Sequence, residues 1–104
     1  SGTQHKLEFH HIFPKALLRK AGYQPRDADD ISNLAFIAGK TNRRISDKAP
    51  EKYLPPLVAE IGREVFEAQQ IPLEEHLLET SSYKEFLCAR RQLIAARINA
   101  YIND

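Results

Sequence analysis

Glu8-Phe9-His10-His11-Ile12-Phe13-Pro14 is the stretch on which the reading of this chain turns. Lys6-Leu7-Glu8-Phe9-His10 alternates polar and apolar residues, the period-two pattern of a half-buried strand. Pro14 has no N–H for a ladder and steers Phe13 away from helix, so the strand is expected to end near His11. Two of the four histidines therefore stand side by side at a strand end. Taken alone, such a pair is more often structural than catalytic.

Moving outward, Ala16 to Lys20 has the length of about one helical turn before Gly22 interrupts it. Gly22 to Asp30 is rich in turn residues and reads as an exposed connection. Ile31-Ser32-Asn33-Leu34-Ala35-Phe36-Ile37-Ala38 follows as a compact apolar run bounded by Gly39, and its length favours a second strand. Thr41 is a good N-cap for a short helix from Asn42 to Lys48, limited by Pro50. Beyond it, Pro55-Pro56 is expected to open a helix through Leu57, Ile61, Val65 and Phe66. Leu73 to Glu79 predicts a short second helix. A long final one should run from Ser81 or Ser82 to about Asn103, with a stripe of Tyr83, Phe86, Leu87, Ile94, Ile98 and Tyr101.

A two-stranded hairpin is barely stable alone in water. The C-terminal helices are thus expected to cover the strand-strand-helix unit, in an α+β fold forming one domain over 1–104 with a core at about 6–49 and a helical cover at about 55–103. The 104 residues, 42% hydrophobic and 28% charged, suit one soluble globular domain and exclude a disordered or membrane-embedded chain. The chain has no methionine and no visible signal segment, which points to a cytoplasmic domain excised from a longer protein, with an upstream domain as a partner. Cys88, the only cysteine, falls in a helical pattern and is expected to be a buried small apolar residue.

The net charge of +1 conceals an asymmetry. Residues 1–52 carry ten Lys/Arg against six Asp/Glu, whereas 53–104 carry five against eight. The positive half holds the histidine pair, and a phosphate backbone responds to the local patch rather than to the average.

Three blocks carry chemistry together: His10-His11-Ile12-Phe13-Pro14, Ile31-Ser32-Asn33-Leu34 and Lys40-Thr41-Asn42-Arg43-Arg44. Their residues and spacing resemble the HNH endonuclease family, whose fold is the ββα-metal or His-Me finger: a two-stranded antiparallel hairpin followed by a short helix. The resemblance covers residues 8–48. The flanking Ser46-Asp47-Lys48-Ala49-Pro50 and the helix around Arg90-Arg91 resemble the C-terminal HNH domain of modification-dependent restriction and phage-defence proteins. The resemblance implies His11 as general base, His10 and Asn42 as metal ligands, and Asn33 as the residue that holds the loop and orients the base.

Phosphodiester hydrolysis makes sense of these residue types. An imidazole can accept a water proton near neutral pH, and a divalent cation can stabilise charge on the phosphate. Neighbouring strand residues point to opposite faces, so His10 and His11 need not compete for one ion. One imidazole and one amide oxygen suit Mn²⁺ or Ni²⁺ and tolerate Mg²⁺, while tight Zn²⁺ binding wants more imidazole or thiolate. Mg²⁺ or Mn²⁺ is therefore the expected cofactor, with Ni²⁺ or Zn²⁺ as stand-ins in crystals. Some members of the family carry another histidine where this chain has Ser46, which predicts weak, exchangeable binding.

Lys15, Lys40, Arg43, Arg44 and Lys48 are the candidate contacts to the DNA backbone, which would position a duplex without reading its sequence. The expected activity is metal-dependent nicking of DNA by a monomer. The alternatives are a catalytically silent nucleic-acid-binding module and a helical interaction domain with incidental histidines. RNA stays open as a substrate because no residue here senses a 2′-hydroxyl.

Overall fold

The computed structural model describes residues 7–38 and 45–103. Strand β1 (Leu7–His11) pairs antiparallel with β2 (Leu34–Ala38), in the register Glu8 to Ile37, Phe9 to Phe36, His10 to Ala35 and His11 to Leu34. The pairing is prolonged past the strand end by the Ile12 N–H, which donates to the Asn33 carbonyl at 2.7 Å. Between the strands lie two short helices, α1 (Lys15–Lys20) and α2 (Pro25–Ala28), and a 3₁₀ turn over Ile31–Asn33. The long run at 31–38 thus divides: its first three residues form the turn, and the strand itself starts at Leu34. The fold is a mixed α+β one, with a two-stranded antiparallel sheet and several helices.

The connection at 22–30 carries more structure than its turn-rich composition implies. Pro25 occupies the first helical position, where its missing N–H costs nothing. The Asp27 carboxylate accepts from the Gln24 N–H at 2.9 Å, and Ala28 is buried.

After the second strand, the expected helix from Asn42 to Lys48 lies largely outside the described residues. Of that span the structure describes Ile45 to Lys48: Ile45 is helical and buried, and Ser46 turns into the left-handed region at φ 53°. A residue in that conformation closes a helix, so no helix reaches Lys48, where the sequence placed its end.

Helix α3 spans Pro50–Ile61, starting five residues before the expected Pro55. Pro50 takes the first position, and Pro55 and Pro56 lie inside the helix. Each interior proline removes a backbone bond, at a cost of about 3 kcal/mol in an ordinary helix. Burial of Tyr53, Leu54 and Leu57 on the same element works against that cost. The helix ends at Gly62, whose φ of 111° disfavours any residue with a Cβ, and α4 (Arg63–Glu67) is a separate short helix. The single helix expected through Phe66 is therefore two, with Ile61 and Val65 exposed and Phe66 buried.

A 3₁₀ turn at Glu75–Leu78 replaces the second short helix, burying Leu77 and Leu78. Helix α5 (Tyr83–Ile102) follows as expected, but its stripe is buried only at Tyr83, Phe86, Leu87 and Arg90. Ile98 and Tyr101 are exposed, because the second half of the helix extends past the core. Cys88 corrects the sequence expectation outright: it is exposed, since the buried face runs through 83, 86, 87 and 90.

The core joins the two halves of the chain. Phe13, fully buried, meets Tyr83 and Phe86 edge-on, with ring centroids 5.1 and 5.0 Å away. Tyr83 continues the aromatic stack to Tyr23 at 5.1 Å. No helix among the described residues is long and apolar enough to cross a membrane.

Candidate functional site

The site grows from the end of β1. Strand alternation puts Phe9 and His11 on one face of the sheet, opposite Phe36 and Leu34, and puts His10 on the other, opposite Ala35. Ala35 and Ile37 are buried, whereas Phe9 and Phe36 are exposed with their rings 4.2 Å apart. His10 accordingly stands on the inward face, half-buried, with its Nε2 atom shielded from solvent. His11 stands on the outward face with 27% of its side chain exposed. The two imidazoles have separate environments.

Immediately after His11 the motif turns into core. Ile12, Phe13 and Pro14 are all buried, which pulls the chain inward and leaves the His11 side chain at the rim. This turn is held by Asn33, which is fully buried. Its Oδ1 accepts from the Phe13 N–H at 2.8 Å, and its Nδ2 donates to the Phe13 carbonyl at 3.0 Å and the Ala28 carbonyl at 2.9 Å. Asn33 thus makes a two-way clasp on the residue two past His11 and ties it to the end of α2. The clasp acts on backbone and leaves the imidazole to another partner.

That partner is Asp29. His11 Nε2 lies 2.8 Å from Asp29 Oδ1, across 18 residues of sequence. Lys15 Nζ lies 3.5 Å from the same oxygen. The hydrogen bond from His11, helped by the Lys15 charge, holds the Asp29 carboxyl below the usual carboxylate range. Sequence reasoning passed over Asp29 because it sits in the acidic run Asp27-Ala28-Asp29-Asp30, which read as an exposed turn.

The helices behind the site also reach the motif through polar contacts. The Tyr53 hydroxyl of α3 donates to the Ile12 carbonyl, and the Tyr83 hydroxyl of α5 to the Asp27 carbonyl. Burial pushes both phenols well above the ordinary tyrosine value, with the Asp30 and Asp27 charges adding to the effect at Tyr83. Arg90 is buried and donates to the carbonyls of Ser32 (3.1 Å), Leu34, Gln69 (3.0 Å) and Gln70 (3.3 Å). Desolvation lowers its pKa, and the four carbonyls supply acceptors in place of water. Arg91 pairs with Asp30. Burial works to raise Asp30, but the Ser32 N–H and the Arg91 guanidinium outweigh it and keep the carboxyl low. Gln69 closes the outer edge of β2: its Oε1 accepts from the Phe36 N–H at 2.8 Å and its Nε2 donates to the Phe36 carbonyl at 2.6 Å.

Of the residues singled out from the sequence, the structure brings His11, Asn33 and Lys15 to one end of the sheet and sets His10 beside them on the opposite face. Lys48 is exposed, beyond the turn at Ser46. Asn42, Lys40, Arg43 and Arg44 lie outside the described residues. Among the described residues no group of three or more His, Cys, Asp or Glu is arranged to hold a metal ion.

No family model and no solved structure matches the chain. Over 54 residues it is 43% identical to a protein of Methanocaldococcus jannaschii whose name is Uncharacterized protein MJ0686. The matched region is 52% of this chain and 9% of that much longer protein.

Proposed function

We propose that this chain is a metal-dependent endonuclease domain of HNH type, with the ββα-metal architecture at its sheet end, that hydrolyses DNA phosphodiester bonds. One observation carries the reading: the adjacent histidines face opposite sides of β1, so the metal-ligand and general-base roles fall to different faces of the strand. His11 at the rim accepts the proton of the attacking water, a task suited to an imidazole near neutral pH. Asn33 holds the turn that presents it. His10, an imidazole on the inward face with a shielded ring nitrogen, fits the role of first metal ligand, and Asn42 would supply the second.

This donor set is neutral and sparse, which suits Mn²⁺, tolerates Mg²⁺ and leaves positions for water and phosphate oxygens. When bound, the cation supplies charge stabilisation at the scissile phosphate. Lys15, Lys40, Arg43, Arg44 and Lys48 serve as phosphate contacts that position the duplex. A domain with one such site nicks one strand per encounter.

The test is supercoiled plasmid incubated with Mg²⁺, Mn²⁺ or EDTA. The wild type should convert it to the nicked circle only with metal. His11→Ala should lower the rate by roughly 10²- to 10⁴-fold, the range for loss of a general base. Band retardation with no cutting under any metal would overturn the enzyme in favour of a silent binding module.

A further inference from the structure

We infer that Asp29 is the positioning residue for His11: it holds the imidazole by Nε2 and leaves Nδ1 as the atom that takes the proton from water. The inference rests on the nuclease reading above and adds to it which ring nitrogen acts and what orients it.

The geometry is specific. An ionised carboxylate can only accept hydrogen bonds, so a neutral imidazole 2.8 Å away must carry its proton on the nitrogen that faces it. That nitrogen is Nε2. Its opposite number, Nδ1, keeps the lone pair and makes no hydrogen bond to a described residue. Asp29 therefore selects one of two tautomers and one ring orientation, and both matter to a base that must meet a water in line with a phosphate.

The carboxylate is itself held by a frame. On one side, the Ala28 carbonyl is bound by Asn33 Nδ2 at 2.9 Å. On the other, Asp30 accepts from the Ser32 N–H at 2.8 Å and pairs with Arg91 of α5. The Asp29 N–H donates to the Pro25 carbonyl at 3.1 Å. A chance surface ion pair joins two mobile side chains, but here the backbone on both sides of Asp29 is clasped to buried structure. Asn33 orients the base in two ways at once: through Phe13 it sets the turn after His11, and through Ala28 it sets the residue before Asp29.

Two variants and two readouts test this. In Asp29→Ala, kcat on nicked-plasmid formation should fall at least roughly 10- to 100-fold, the cost of misplacing a reacting group by about 1 Å. KM should not rise, because the carboxylate does not touch substrate and its loss releases Lys15 for phosphate. Asp29→Asn, whose amide oxygen can still accept from Nε2, should recover part of the rate. Ring ¹⁵N NMR of the metal-free protein supplies the second readout. The wild-type His11 should show one tautomer with the proton on Nε2, and Asp29→Ala should show a mixture.

An unchanged kcat and an unchanged tautomer in Asp29→Ala, in a wild type that cuts, would overturn the positioning role and leave the nuclease reading standing. A single tautomer in a wild type that never cuts would overturn both as statements about catalysis, and the two failures are told apart by the plasmid assay alone.

Discussion

Asn33 and His11 sit at the same end of the sheet, yet they are opposite kinds of polar residue. Asn33 is fully buried, and its three hydrogen bonds all go to backbone groups, those of Phe13 and Ala28. His11 is part-exposed, and its bond goes to the side chain of Asp29, itself 54% exposed. The first arrangement serves folding, since a buried amide that lost its partners would cost more than it does now. The second stabilises little, because exposed pairs are screened by water. What it does fix is the direction of a ring. A short motif can thus be a composite, half buried clasp and half exposed side-chain pair, and the halves should separate on mutation.

The sharpest way to break that contrast is Asn33→Ala. It leaves the Phe13 N–H, the Phe13 carbonyl and the Ala28 carbonyl without their partner inside the fold. The expected loss is about 3 kcal/mol, read as a lower urea midpoint. His11→Ala should move the same midpoint by less than about 1 kcal/mol. Equal shifts for the two variants would mean that the motif does not divide as described.

Tyr53→Phe probes the clasp from the other side. It removes the hydroxyl that reaches the Ile12 carbonyl and keeps the buried ring, so stability should fall by about 1 kcal/mol in urea denaturation. A neutral result would show that the α3 contact is packing alone.

The smallest expected effect belongs to Asp30. Its folded pKa lies below the ordinary aspartate value of 3.8, so its stabilising contribution is fully present above that pH and is lost as pH falls through the lower folded value. Asp30→Asn should therefore flatten the acid limb of the stability profile below about pH 4. At neutral pH it should cost about 0.5 kcal/mol or less, since the pair is partly solvated. A steeper acid limb in the variant would contradict the assignment.

Much of the arrangement was legible along the chain because it depends on local patterns. Alternation at 6–10 and the apolar run at 31–38 marked both strands, and Pro14 marked the end of the first. Helix α5 followed from its spacing to within a residue or two. The boundaries that failed did so where packing overrode a local rule. Pro55 and Pro56 normally start or break a helix, but burial of Tyr53, Leu54 and Leu57 carries α3 through them. Cys88 read as buried because hydrophobic periodicity gives the angle of a face and not which neighbouring residue falls just outside it.

The sequence by itself determined the two strands, the final helix, and the pairing of a histidine doublet with Asn33 as one candidate site. Strand geometry then required the histidines to face apart, whatever the rest of the chain did. Only the tertiary structure decided that Asp29 is the partner of His11, that Arg90 spends its guanidinium on four backbone carbonyls, and that the second half of α5 stands clear of the core. The reason is range. Periodicity and capping act over a few residues, whereas His11 meets Asp29 across 18 positions and Arg90 meets Ser32 across 58, distances closed only when the aromatic core around Phe13 brings the two halves of the chain together.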